Sequence, residues 1–362
     1  MIKTIRVLHT EWSNGWGGQE IRIIHEMKMM RSEGAEVYLA CRENSMIKDE
    51  AIANNIKVFS LPFRGNTDLK TLFHLKKIIK YYSIDIVNTH SGKDTWVGGL
   101  AAKLAGVKFI RTRHLSNKIN PSRLNFINEL ADYIFTTGEK VRDDMIKYNR
   151  IKENKILSIP TGIDESIFNP ESFNRDECRK KLTINDSEIA IGILAVLRQF
   201  KRHDLFLKMA KSLIKKYPGK RLVFIIAGNG PQKENIEKII NELNLTENVK
   251  MVGHINNVPE FLCAIDILVL SSDSKEGVPQ SVMQGLFMNK PVVSSDSGST
   301  RDLFNHNNFQ LIQKGSIEAL INGVSIYLDN MNEVSSRKYM MENFSSSVMV
   351  KKIMTSYEKI LE

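Results

Sequence analysis

The sequence predicts an α/β protein made of two doubly wound parallel-sheet domains facing a cleft. Three observations carry this. Short apolar runs alternate with amphipathic helical stretches almost from end to end. The runs are too continuous in Val, Ile and Leu for a sheet with one wet face, so helices are expected on both faces. The 362-residue length suits two domains, and the alternation breaks once, at "PTGIDESIFNPESFNRDE", where Pro160, Gly162 and Pro170 punctuate an extended connector. The domains are therefore placed at 1–163 and 164–344. A final helix over 345–362 lacks a strand partner and is expected to pack back on the first domain.

Taken in order, the first-domain strands read "TIRVLHT", "AEVYLAC", "IKVFSLP", "IDIVNTH", "KFIRTRH", "YIFTTG" and "KILSIP". The first helix runs from about Gln19, puts Ile23, Ile24, Met27 and Met30 on one face, and stops near Gly34. In "TDLKTLFHLKKIIKYY", Leu69, Leu72, Leu75 and Ile79 recur at helical spacing. The second domain continues with "IAIGILAVL", a helix from His203, "RLVFIIAG", a helix from Pro231, "VKMVGH", "DILVLSS", a helix from Gln280 and "PVVSSD". Ligands of open α/β sheets bind outside the carboxyl ends of the strands, so the loops there are where function is sought.

Composition excludes several classes. Hydrophobic content of 42% and charge of 25% are those of an ordinary globular protein, and no apolar run approaches the roughly 18 residues of a membrane span. The opening "MIKTIRVLHT" has no small-residue cleavage pattern, so no secretory leader is expected. Three scattered cysteines (Cys41, Cys178, Cys263) fit a reducing cytoplasm without a disulfide or zinc site. The net charge of +10 is uneven. Residues 1–164 carry 26 Lys and Arg against 18 Asp and Glu. That basic half fits an anionic membrane surface or anionic substrates. It contains no nucleic-acid recognition motif, and a lysine-rich solvated surface accounts for the charge equally well.

The loops at the strand ends carry the chemistry. In "KEGVPQSVMQG" the apolar residues Val282, Met283, Leu286 and Phe287 share one helix face, and Gln284 points roughly 130° from its centre. That helix begins just after Gly277, Val278 and Pro279, and its first N–H groups, Gln280 and Ser281 among them, have no helical partner, which suits an anion. An ordinary βα turn is the plain alternative. "LRQFKRHD" supplies Arg198 and Lys201, two cations able to neutralise a diphosphate. "AGNGPQ" brings Gly228, Asn229 and Gly230, without the third glycine of a dinucleotide fingerprint. In the first domain "TEWSNGWGGQE" presents Gly17 and Gly18, and His114 in "RTRHLS" ends a strand beside Arg111 and Arg113. His9 and His90 are weaker rivals at neighbouring strand ends. No histidine pair has metal-ligand spacing and there is no Asp-x-Asp, so no metal and no cofactor are expected.

"EGVPQSVMQG" followed by "PVVSSDSG" resembles the donor-binding core of the retaining glycosyltransferases of family 4, whose GT-B fold sets two Rossmann-like domains across a cleft. The likeness extends through "SIPTGIDESIF", "LRQFKRHD", "AGNGPQ", "VGHINNVPEFLCAIDILVLSS" and the "GGQE" loop, and so covers essentially the whole chain. "GGQEIRIIHEMK", "VNTHSGKD" and "RTRH" are similar to a branch linked to bacterial lipopolysaccharide and capsule assembly. The resemblance implies that Glu276 contacts the donor sugar and that N–H groups near Val278 to Ser281 hold the distal phosphate. It further implies that Arg198 and Lys201 neutralise the diphosphate, that Gly17 and Gly18 close over it, and that His114 sits near the transferred sugar. Gly228, Asn229, Gly230 and His254 would then border the base. Three positions depart from the pattern: Gln284 replaces the second Glu, which in the family holds the ribose hydroxyls of the donor, Lys290 replaces a glycine, and Asp302 a later Glu. The implied reaction is hexosyl transfer from a nucleotide-diphosphate sugar, UDP favoured, to a glycan or lipid-linked acceptor. It would proceed without metal in the cytoplasm, with peripheral contact between the basic domain and the inner membrane. A nucleotide-sugar epimerase of the same fold and a basic membrane- or nucleic-acid-binding protein are the alternatives.

Overall fold

The computed structural model describes residues 4–114, 119, 123–273, 276–305, 308–330 and 335–362. Ser274 and Lys275 in the loop before Glu276, and Leu115 and Ser116 after His114, lie outside the described residues. The chain divides into two compact units, Met1–Gly162 with Ser346–Glu362, and Ile163–Ser345. Each is described by itself.

The first unit holds strands β1 (Arg6–Glu11), β2 (Glu36–Cys41), β3 (Lys57–Ser60), β4 (Ile86–Thr89), β5 (Lys108–Arg113), β6 (Tyr133–Thr136) and β7 (Ile156–Ser158). All pair in parallel in the order β3-β2-β1-β4-β5-β6-β7. The connecting helices are α1 (Gly18–Ser32), α2 (Met46–Ala53), α3 (Leu69–Tyr81), α4 (Gly92–Ala105) and α5 (Glu139–Asn149). Because side chains alternate across a strand, Val7, Ile86 and Ile110 face one apolar layer while Leu8, Val87 and Phe109 face the other. The sheet is thus covered on both sides.

The second unit contains α6 (Arg175–Lys181), β8 (Glu188–Leu194), α7 (His203–Lys216), β9 (Arg221–Ala227), α8 (Lys233–Glu242), β10 (Val249–Gly253), α9 (Val258–Ala264) and β11 (Ile267–Leu270). It continues with α10 (Gln280–Phe287), β12 (Val292–Ser295), β13 (Gln310–Ile312), α11 (Ile317–Asp329) and α12 (Arg337–Phe344). Its parallel sheet has the order β10-β9-β8-β11-β12-β13. Ile191, Phe224 and Val269 face one core layer, and Ala190, Ile225 and Leu270 the other. The fold is therefore the two-domain parallel α/β architecture expected. One boundary shifts: the helix placed from Pro231 begins at Lys233, because the Gly230 carbonyl closes a turn on Lys233 N–H at 3.2 Å and the four-residue bonding starts with Ile236 N–H on the Gln232 carbonyl at 2.9 Å.

The last helix, α13 (Ser346–Leu361), belongs to the first unit. Met349, Val350, Ile353 and Tyr357 are buried in the layer that holds Ile23, Ile24 and Met27 of α1. Its two buried hydroxyls find partners, as they must: Asn88 near the end of β4 donates to Tyr357 Oη at 3.0 Å, and Ser346 Oγ lies 2.6 Å from His25 Nε2.

Candidate functional site

In both sheets the strand order reverses once, and a crevice opens there at the strand carboxyl ends. In the second unit the reversal lies between β8 and β11. The loops leaving those two strands are stitched together. Ser271 Oγ donates to the carbonyls of Lys201 (2.9 Å) and Arg202 (3.0 Å), Asp273 N–H donates to the Phe200 carbonyl at 3.0 Å, and Arg202 pairs with Asp273. This stitching brings Lys201 Nζ to 2.6 Å from Glu276 Oε1, an oxygen that also accepts from Ser272 Oγ at 2.6 Å. Both charges are nearly buried, with side chains 15% and 8% exposed.

Beside Glu276 stands the N-terminus of α10. Pro279 is its N-cap, no side chain caps the first turn, and that turn holds no acidic residue. Val278 and Ser281 are half-buried there, as are Gln280 and Gln284. The turn after β12 buttresses the same loop: Ser299 N–H donates to the Gly277 carbonyl at 3.1 Å. Gly298 has φ +62°, and a Cβ there would lie 2.0 Å from the Glu276 carbonyl oxygen, so only glycine fits. The hydroxyls of Ser297 and Ser299 are buried and have no hydrogen-bond partner among the described residues. Two unpaired hydroxyls beside an uncapped helix end and a buried ion pair make a surface suited to an oxyanion-rich ligand. These serines, and Ser272, were invisible to motif reading because nothing in their spacing announces burial.

The structure treats the other second-unit candidates unequally. Arg198 is exposed, joins no ion pair among the described residues, and lines a cavity of about 630 Å³ with Phe200, Arg202, Asp204 and Gln232 rather than Glu276. Of the two cations expected to act together, Lys201 is held on Glu276 and Arg198 is exposed. Gly228 and Gly230 are required by the chain itself, since a Cβ would come within 2.0 Å of the Ala195 carbonyl or 2.7 Å of that of Leu197. Asn229 between them is exposed. His254 is exposed and lines a smaller cavity of about 150 Å³ with Cys178, Leu182 and Glu260. Lys290, at the place of a family glycine, is half-buried and donates to the Cys263 and Ile265 carbonyls, both at 3.1 Å, closing the end of α9.

In the first unit the order reverses between β1 and β4. Gly17 caps α1 in an extended conformation, and a Cβ there would meet only the Glu20 carboxylate at 3.6 Å, an ordinary contact. The chain gives no internal reason for this glycine, unlike Gly228 and Gly230. Gly18 opens the helix. Asp94, on α4, accepts from His90 N–H at 3.0 Å, Ser91 N–H at 2.8 Å and Thr10 Oγ1 at 2.7 Å. Burial pushes its carboxyl up. Glu11 is buried too, and its carboxyl is driven up to about 8, first by burial and then by the Asp94 charge.

His114 does not stand alone. His9 Nδ1 lies 2.9 Å from His90 Nε2, and His90 Nδ1 lies 2.9 Å from His114 Nε2. Burial lowers His9 to about 3. His90 falls well below its usual value through burial and then the neighbouring His114 and His9, and His114 through burial and then the charges of Arg22, Arg113 and Arg111. All three rings are neutral near pH 7.

With this geometry in view, comparison with known proteins is direct. The family description "Glycosyl transferases group 1" matches residues 174–345, and "Glycosyltransferase Family 4" matches 16–167. The UDP-Gal:alpha-D-GlcNAc-diphosphoundecaprenol alpha-1,3-galactosyltransferase of Escherichia coli is 25% identical, over 98% of this chain and 96% of that one. A glycosyltransferase from Rickettsia africae superposes with TM-score 0.90 at 19% identity, covering 99% of both chains. Anabaena Alr3699/HepE, solved in complex with UDP, gives TM-score 0.85 at 16% identity, over 98% of this chain and 100% of that one. The fold is GT-B, and the chain belongs to the family 4 glycosyltransferases, enzymes that transfer a glycosyl group.

Proposed function

We propose that this enzyme moves a hexosyl group, with retention, from a UDP-sugar to a lipid-linked or glycan acceptor in lipopolysaccharide, O-antigen or capsule synthesis, and needs no metal. The observation that carries the reading is the Lys201–Glu276 pair at the strand reversal, beside the uncapped end of α10 and the free hydroxyls of Ser297 and Ser299. As the sugar–phosphate bond breaks, negative charge grows on the leaving diphosphate. Helix N–H groups and Lys201 are preorganised to stabilise it, and Arg198, exposed three residues from Lys201, adds a second cation. Glu276 Oε1 is committed to Lys201 and Ser272, which suits a charge partner and sugar contact better than a free nucleophile. The acceptor oxygen would then bond the anomeric carbon on the face the phosphate leaves, and a departing phosphate oxygen would take its proton. The donor and acceptor named for the E. coli relative support a UDP-sugar and a lipid-linked diphosphate as the substrates to try first.

One observation favours peripheral membrane contact. No helix among the described residues is long and apolar enough to cross a membrane. Yet α3 exposes Leu69, Phe73 and Tyr81 beside Lys70, Lys77 and Lys80 and contains no acidic residue. Such a face suits an anionic interface.

The test is transfer from UDP-hexoses, with chelator present, to undecaprenyl-diphosphate sugars, with the product's anomeric configuration read by NMR. Sugar release only on adding acceptor, with an α linkage from an α donor, is the expected result. Product without acceptor would favour an epimerase, inversion would remove the proposed route, and chelator sensitivity would restore a metal.

A further inference from the structure

The three histidines form a directional chain. His9 lies two residues before the end of β1, and His90 and His114 follow β4 and β5; the three strands are adjacent in the sheet, so the rings run transversely across its carboxyl side. Both ring-centroid separations are 5.2 Å. That equals the 2.9 Å nitrogen–nitrogen distance plus the two ring radii, so the imidazoles meet end to end and not face to face. Each neutral ring has one N–H and one lone pair. Three neutral rings can therefore link in only two ways: every Nδ1–H pointing from His9 toward His114, or every Nε2–H pointing back.

The ends decide between them. His9 Nε2 is fully buried with no hydrogen-bond partner among the described residues. Linked backwards, it would be a stranded N–H; linked forwards, it is a bare lone pair, the less costly orphan. His114 is half-buried, and its Nδ1 has no hydrogen-bond partner among the described residues. The forward arrangement places its N–H where an incoming ligand or water can receive it.

We propose that His9 and His90 are positioning residues that hold His114 as the Nδ1–H tautomer, so that His114 donates a hydrogen bond to an oxygen of the transferred sugar and cannot take the acceptor's proton. The part played toward sugar rests on the function proposed above; the tautomer lock does not. With Nε2 occupied by His90 and Nδ1 carrying the proton, His114 has no lone pair to offer. This is the arrangement a route needs in which the departing phosphate is the base.

Isotopic labelling of the histidine ring nitrogens in the full chain, read by long-range proton–nitrogen correlation, shows which nitrogen is protonated. Expected in the free enzyme is Nδ1–H on all three. In His90→Phe, His114 should move to the Nε2–H form that an unconstrained imidazole favours, whereas His90→Gln, whose amide can still donate, should keep Nδ1–H. Nε2–H on wild-type His114 overturns the proposal, and so does a His114 tautomer that stays the same in His90→Phe. If His90→Phe does not fold, the wild-type spectrum still decides. Adding a UDP-hexose separates the two readings: a locked His114 that no nucleotide sugar perturbs removes the sugar contact and leaves the positioning role standing.

Discussion

Replacing Lys201 by Ala strands the Glu276 carboxylate. Removing one member of a buried ion pair costs about 3–5 kcal/mol. The lower end applies, because Lys201 keeps 15% exposure and Glu276 retains Ser272. At roughly 2–4 °C per kcal/mol for a domain of this size, a loss of about 3 kcal/mol lowers the second unit's melting temperature by about 6–12 °C. Glu276→Gln is milder, about 1 kcal/mol: the amide still accepts from Ser272 and the Lys201 stem can turn its charge to water. The Lys201→Ala, Glu276→Gln double variant leaves no stranded charge and should fall near the milder single, a coupling of about 2–3 kcal/mol. Calorimetry of the four proteins measures this. Trp12, Trp16 and Trp96 all lie in the first unit, so fluorescence supplies an internal control that should not move. Strict additivity of the two substitutions would refute the argument, since it would mean the two side chains share no energy despite 2.6 Å contact.

Three more outcomes are expected. Gln284→Glu restores a carboxylate at the half-buried first face of α10 and should tighten UDP binding roughly fivefold, about 1 kcal/mol of charge assistance, in titration calorimetry; unchanged affinity removes Gln284 from the ribose site. Gly298→Ala must move the Glu276 backbone, so transfer should fall at least tenfold together with a loss of about 1–3 kcal/mol in stability, and a fully active Ala variant would deny that the turn positions Glu276. Glu11, whose folded value of about 8 exceeds its usual one, binds a proton that the unfolded chain releases earlier. Its contribution is complete below the unfolded value and is lost as pH rises through about 8. Glu11→Gln should therefore flatten the first unit's decline in stability between about pH 5 and 8, and equal slopes in the two proteins would contradict the burial argument.

How much of this was legible in the sequence depends on what each feature needs. Central strands follow from runs such as "RLVFIIAG", because burial on both faces leaves a continuous apolar signature. In the second unit β13 escaped notice: three half-buried residues at a sheet edge give no pattern. So did α9, whose seven residues include Pro259 and are buried nearly all round, leaving no helical contrast between faces. For the site, the loops could be found and the partners could not. Lys201 meets Glu276 across 75 positions, and the histidines join across 81 and 24. Sequence reading therefore treated His9, His90 and His114 as rivals. Only strand order, which sets β4 between β1 and β5, makes them a series. The glycines divide in the same way. Gly228, Gly230 and Gly17 look alike as letters, and only the backbone beside each shows which ones the chain requires.

The course of α13 has a consequence at the ribosome. Residues 1–162 emerge first, but the layer formed by Ile23, Ile24 and Met27 stays open until Ser346–Glu362 has cleared the exit tunnel. The second unit is continuous from Ile163 to Ser345 and owes nothing to later residues, so it has all its parts before the first does. Translation thus delivers the units in one order and completes them in the other. In the interval the nascent chain presents an unsealed apolar helix face, the kind of surface that holds chaperones to a ribosome-bound chain.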